Sequence, residues 1–236
     1  TEKTAEAFKK IVDSPSDLIL ITNVPKGLTP NDYVSVVSVN ELTNGRLAAR
    51  GLCEHMVAND KTKAGFITFD SNFYATNQRD TSAQQLIDED FPSIKIVAQT
   101  SFKKESEVFD KTLNLLAEYP EIEGIYTSWD GPAQQVIRAL NTIDRLDIIV
   151  GTVDLDFSSA LVIAEDGPIK CVSAQQPFEQ GRAIGLAAAQ SILYKDVPSF
   201  IAIEPIMVNK ENLLHSWRTV FKEEPPIELR ERLSGK

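Results

Sequence analysis

The sequence predicts an α/β fold with mostly parallel strands. Three observations carry that prediction. Short apolar runs alternate with helix-length segments along the chain. The runs that begin at 64, 94, 124 and 148 are spaced by about one strand–helix unit each. The intervening segments carry their apolar residues on one helical face. Runs of this continuous kind are buried on both faces, as in a parallel sheet.

In chain order, the first strand signal is the apolar run Asp17 to Thr22. The β-branched run Tyr33 to Val39 follows, then Ala64 to Phe69, Ile94 to Ala98, Gly124 to Thr127, Ile148 to Val153 and Ile169 to Ser173. Four helical stripes lie between them: Leu47, Gly51, Leu52 and Met56; Arg79, Ala83, Leu86 and Ile87; Val108, Thr112, Leu115 and Tyr119; Ala133, Val136, Ile137 and Leu140. Asp130-Gly131-Pro132 predicts an acidic cap with proline in the first turn. Asn209 predicts the same for a helix over Lys210 to Phe221, and Asp156 reads as a helix-start carboxylate. Glu165 to Pro168 reads as a turn. Pro177, Pro198 and Pro205 punctuate the later chain, and Lys222 to Lys236 reads as a charged surface tail.

Composition narrows the function. The chain of 236 residues carries 34 acidic against 24 basic residues, a net charge of −10. Such a surface repels phosphate backbones, which argues against a nucleic-acid-binding body and against charge-driven docking on anionic lipid. No apolar run approaches the roughly 20 residues that span a bilayer, and no signal peptide is read in Thr1 to Lys10. Cys53 and Cys171 fit no zinc spacing and read as small buried hydrophobes, although a bridge between them would imply an oxidising compartment.

In open parallel sheets, ligands sit outside the carboxyl ends of the strands. Those ends carry Thr22 and Asn23, Asn40, Asp70 to Asn72, Ser128 to Asp130, Asp154, and Gln175 with Gln176, while Phe73, Tyr74 and Arg79 open the next helix. Planar polar groups can bond two neighbouring hydroxyls at once, and an aromatic face covers the C–H side of a sugar ring. The set suits a neutral, polyhydroxylated small molecule. Duller readings stand beside it: Asp130 as a cap, Trp129 as core, Arg79 as a solvated charge. No nucleophile elbow, phosphate loop or dinucleotide fingerprint occurs, His55 and His215 lie away from strand ends, and no metal-ligand spacing appears. The sequence therefore predicts no catalytic residue, no metal and no cofactor.

Several segments, in order, resemble the ribose-type sugar-binding proteins of ABC importers. Tyr33 to Asn40 followed by Asn44-Gly-Arg-Leu-Ala-Ala49 is similar to that family's crossing between lobes. Gln78-Arg79-Asp80 resembles the segment bearing its sugar-binding arginine. Tyr119 to Tyr126 resembles a strand entry, Val150 to Asp154 a strand ending in a ligand aspartate, and Ala174-Gln-Gln-Pro177 with Gly181 a hinge whose first glutamine contacts ligand.

The resemblance implies the two-lobed type I periplasmic binding fold. Residues 1–40 and 177–203 would form a partial lobe 1, and residues 41–176 and 204–236 lobe 2. It implies that Asn40, Arg79, Asp154 and Gln175 bind ligand; Asn23 and Trp129 join them as strand-end residues that differ from the ribose pattern and so predict another sugar or polyol. It implies hinge closure without chemistry, a membrane permease as partner, and a periplasmic or extracellular location. The family begins with a β-α-β-α-β portion, whereas this chain opens in a helix over Ala5 to Val12. The expectation is an incomplete lobe 1, with the missing N-terminal portion, and any lipid anchor on it, absent or supplied as a separate piece. The effector half of a LacI-type regulator shares the fold and is the alternative; a sugar-active α/β enzyme is a more distant one.

Overall fold

The computed structural model describes residues 2–235. In chain order the elements are α1 (Glu2–Val12), β1 (Ile19–Ile21), β2 (Ser35–Val39), α2 (Glu41–Ala58), β3 (Lys63–Phe69), α3 (Tyr74–Asp90), β4 (Lys95–Phe102), a short 3-10 turn (Glu105–Glu107) and α4 (Val108–Glu118). There follow β5 (Gly124–Thr127), α5 (Asp130–Thr142), β6 (Ile149–Val153), α6 (Phe157–Ala164), β7 (Ile169–Ala174), α7 (Pro177–Ile192), β8 (Phe200–Ile203), β9 (Ile206–Asn209), α8 (Leu213–Phe221) and α9 (Ile227–Leu233).

The chain divides into two compact units. The smaller runs to Asn40 and resumes over Gln176–Glu204; the larger holds Glu41–Gln175 and the chain from Pro205 onward. In the smaller unit the sheet order is β1-β2-β8, with both pairings parallel. In the larger the order is β4-β3-β5-β6-β7-β9. Its first five strands run parallel, and β9 alone pairs antiparallel, on β7.

The larger sheet is covered on both faces. Alternate strand residues point to opposite sides. Phe66, Tyr126, Ile149 and Val153 pack with Ala48, Leu52 and Met56 of α2 and with Leu86 and Ile87 of α3. Their neighbours Ile67, Ile125 and Val150 pack with α4, α5 and α6 on the other face. That double burial is why the strands read as unbroken apolar runs. α2 lies so close to β7 that a Cβ on Gly51 would stand 1.9 Å from the Cys171 sulfur, so any side chain there would force one of them to shift. Both cysteines are buried and free, and burial first of all pushes each thiol up to about 12.

Some boundaries differ from the sequence expectation. β8 and β9 are strands where only proline punctuation was read; each has four residues, too few to show a period. The first turn after β9 is not helix: the Asn209 and Asn212 side chains each cap the other's backbone N–H, and α8 starts at Leu213. Asp130 is the first residue of α5, not its cap, which is Trp129 in extended backbone. Asp156 caps α6, accepting from the Ser158 and Ser159 N–H groups at 3.2 and 2.7 Å. Lys222 to Lys236 is no surface tail over its described part: α9 packs against α6 and buries Leu229 completely. Three large apolar residues, Ile227, Leu229 and Leu233, were hidden among charges there.

The parallel strands of the larger unit all end on the same edge. Phe69, Thr127, Val153 and Ala174 are the last residues of β3, β5, β6 and β7. α3, α5 and α6 begin from that edge, and the candidate residues stand there.

Candidate functional site

Arg79 lies in the second turn of α3 and is 6% exposed. A buried guanidinium must be neutralised and hydrogen-bonded. Glu41, the first residue of α2 and itself 3% exposed, does both. Arg79 Nε donates to Glu41 Oε2 at 2.6 Å and Nη2 to Oε1 at 3.2 Å, a two-pronged fork. Nη1 donates to the Ser128 carbonyl at 3.4 Å and stands 3.7 Å from Asp154 Oδ2. Burial alone would lower the guanidinium's pKa; the bond to Glu41 and the charges of Asp154 and Glu41 outweigh it, so the group stays charged.

Asp154 follows β6 with φ 76°, in the left-handed region that non-glycine residues rarely occupy. Aspartate tolerates that region better than most residues, and strain of this kind gathers at working positions. Gln175, just past β7, donates its side-chain amide to Asp154 Oδ1. Burial raises the Asp154 pKa, while Arg79 and Gln175 pull it back. Asp130 is pushed up to about 6, first by burial, then by repulsion from Asp154 and Asp156.

A second set of side chains supports these, and sequence reasoning missed it as a set. Asn44 Nδ2 donates to Glu41 Oε2 at 3.1 Å, and the Ser173 hydroxyl to Asn44 Oδ1 at 2.6 Å. The Ser128 hydroxyl donates to the Asp80 carboxylate. The Thr127 hydroxyl donates to Thr152 Oγ1 at 3.0 Å, tying β5 to β6. Glu41, Asn44, Asp80, Thr127, Ser128, Thr152 and Ser173 are all buried. One signal was available: an arginine on an apolar helical stripe requires a carboxylate, and Glu41 stands two residues past a strand end.

Trp129 is half-buried beside an aromatic cluster. Its ring meets Phe69 edge-on at 5.3 Å and 89°, and Phe102 at 5.3 Å and 56°. Phe73, Tyr74 and Phe157, at the starts of α3 and α6, are exposed. Trp129 is thus partly core, and the wall of the strand-end site on the β3–β5 side is aromatic.

Of the six residues singled out from sequence, Arg79, Asp154 and Gln175 share one bonded network, and Trp129 adjoins it through Ser128. Asn23 and Asn40 belong to the smaller unit. Asn23 follows β1 and is half-buried, its N–H donating to the Ile21 carbonyl at 2.7 Å. Asn40 follows β2; its Nδ2 donates to Glu204 Oε1 at 2.8 Å and its N–H to the Ile203 carbonyl at 2.9 Å. Among the described residues no His, Cys, Asp and Glu gather in a group that could hold a metal ion.

Residues 12–195 match the periplasmic binding protein domain family. Solved structures are similar to this chain as well. One is a periplasmic ribose ABC transporter protein from Conexibacter woesei, with 20% identity and a TM-score of 0.79 over 90% of this chain and 70% of that one. A second is an ABC transporter periplasmic solute-binding protein from Actinobacillus succinogenes with bound D-allose, at 23% and 0.76 over 88% and 74%. A third, from Bacillus halodurans with bound myo-inositol, stands at 20% and 0.76 over 91% and 73%. Comparison with curated protein sequences found no match.

Proposed function

The chain belongs to the periplasmic binding protein domain family, and from that premise we propose that it is the solute-binding component of an ABC importer that takes a neutral sugar, polyol or similar hydroxylated molecule. The family is one of binding proteins, not of enzymes. Among the described residues no helix is long and apolar enough to cross a membrane. In the proposed role the membrane step falls to a permease, and the place of action is the periplasm or the outer face of a cell.

The observation that carries this reading is the network at the carboxyl edge of β5, β6 and β7. Asp154 and Gln175 face each other there, and Arg79 is held beside them by Glu41. A carboxylate accepts from two vicinal hydroxyls, while an amide and a guanidinium donate to their oxygens. The Trp129 indole offers an apolar face to the C–H side of a ring. Binding of this kind needs no covalent chemistry. The two units act as the two lobes, Asn23 and Asn40 being the smaller one's contribution. Contacts made only in the shut form favour hinge closure.

A thermal-shift screen against neutral sugars and polyols tests the reading. A ligand at about 100 times its Kd adds ~2.7 kcal/mol of apparent stability. Failure of every member of a broad panel, D-allose and myo-inositol included, to raise the melting temperature of the folded protein would overturn it.

A further inference from the structure

We propose that Glu41 is a specificity-determining residue, and that its charge makes this site reject anionic sugars. The inference rests on the reading of the strand-end network as a sugar site. It adds a residue that makes no ligand contact of its own and a rule for the ligand's charge.

An arginine at a binding edge is by default an anion receptor, because its planar fork matches a carboxylate. Here the fork is already filled. Glu41 takes Nε and one Nη2 hydrogen at 2.6 and 3.2 Å. The remaining nitrogen, Nη1, meets the Ser128 carbonyl and the Asp154 carboxylate. One positive charge is thus opposed by two negative ones. Asp130 and Asp156 lie close enough that Asp156 raises the pKa of both Asp154 and Asp130. A ligand carboxylate arriving at Asp154 and Gln175 would meet net negative charge and find no two-pronged guanidinium edge, since these partners leave only the second Nη2 hydrogen to donate, enough for a single hydroxyl oxygen. A hydroxyl finds an acceptor in Asp154 and polarised donors beside it.

Glu41 is itself held for this task. Asn44 donates to its Oε2 at 3.1 Å, and Ser173 at the end of β7 fixes Asn44 at 2.6 Å. All are buried, so solvent does little to screen the pair. The chain from Ser173 through Asn44 and Glu41 to Arg79 sets the direction in which the guanidinium points. Glu41 is a positioning residue, and its negative charge is the part of it that selects.

The test compares wild type with Glu41→Gln and Glu41→Asp, using myo-inositol and D-allose as neutral probes and D-glucuronate as the anion. Calorimetry and thermal shift read binding; far-UV circular dichroism checks the fold. Wild type and Glu41→Asp are expected to show no D-glucuronate binding at millimolar concentration. Glu41→Gln keeps the shape and removes the charge, and is expected to bind D-glucuronate roughly tenfold or more tighter than wild type does. A purely structural role would weaken both probe classes together and would not move the ratio. D-glucuronate binding by wild type overturns the proposal, and this arm stands even if Glu41→Gln does not fold. A folded Glu41→Gln protein that still binds a neutral probe without gaining the anion also overturns it. Absence of neutral-probe binding in wild type across the whole panel counts against the sugar-site reading instead, and the inference falls with it.

Discussion

The Ser128 hydroxyl sits 2.8 and 3.0 Å from the two carboxylate oxygens of Asp80, sealing a buried acid beneath the strand-end network. Burial pushes the Asp80 pKa from 3.8 up to about 6; Ser128, the neighbouring Tyr126 hydroxyl and the Arg79 charge offset only part of that rise. A carboxyl whose pKa is higher in the folded state takes up a proton on folding. Its contribution to stability is full below the unfolded value and is lost as pH rises through the folded one. The window therefore runs from about pH 4 to about pH 6.

Asp80→Asn should remove that dependence. Relative to wild type, the variant should gain on the order of 2 kcal/mol of stability between pH 4.5 and pH 7.5. Urea unfolding at the two pH values measures the difference. Parallel curves for the two proteins would show that Asp80 does not titrate as described.

Asp154 carries two burdens, a left-handed backbone and a place in the network, and two substitutions separate them. Asp154→Gly relieves the backbone, whereas Asp154→Ala keeps a Cβ at φ 76°. The alanine variant should therefore be about 1 kcal/mol less stable than the glycine variant. Both should lose the thermal shift given by a bound sugar. Retention of that shift by either protein would remove Asp154 from the ligand shell.

The seat of α2 on β7 is tested at Gly51. A Cβ there would overlap the Cys171 sulfur at 1.9 Å. Overpacking costs typically 1–3 kcal/mol, so Gly51→Ala should lose about 2 kcal/mol or more. Cys171→Ala in the same chain should return part of the loss, giving a coupling energy of roughly 1 kcal/mol in a double-mutant cycle. Strict additivity of the two changes would mean that α2 and β7 do not meet at these residues.

Trp129 links core and site, and its replacements should split those roles. Trp129→Phe keeps the ring contacts with Phe69 and Phe102 and should cost under about 1.5 kcal/mol. Trp129→Ala should cost on the order of 2 kcal/mol, since the indole is only half-buried. Sugar affinity, read by calorimetry, should fall in both and further in the alanine variant. Unchanged affinity in Trp129→Ala would leave the indole with a packing role alone.

The larger unit's strands were legible because burial on both faces leaves a continuous apolar signature. β5 runs over Gly124–Thr127, the residues of the run read from sequence, and β3, β6 and β7 differ from their runs by a single residue at one end. β8, β9 and α9 were not read. β8 is largely exposed, β9 is bent on as an antiparallel edge, and α9 buries one residue, Leu229. Four to seven residues with at most one buried side chain carry no period to detect.

Residue order along the chain was enough to put Arg79, Trp129, Asp154 and Gln175 near strand ends, because a parallel sheet sends every strand end to one edge. It could not pair them. Glu41 and Arg79 are 38 positions apart, and Gln175 and Asp154 are 21 apart. Which carboxylate meets which donor depends on the strand order β4-β3-β5-β6-β7-β9 and on how α2 lies across that sheet. Local patterning encodes which face a residue turns inward; the partner it finds there is decided by packing between segments distant in the chain, and that contact also settles whether a buried charge is neutralised.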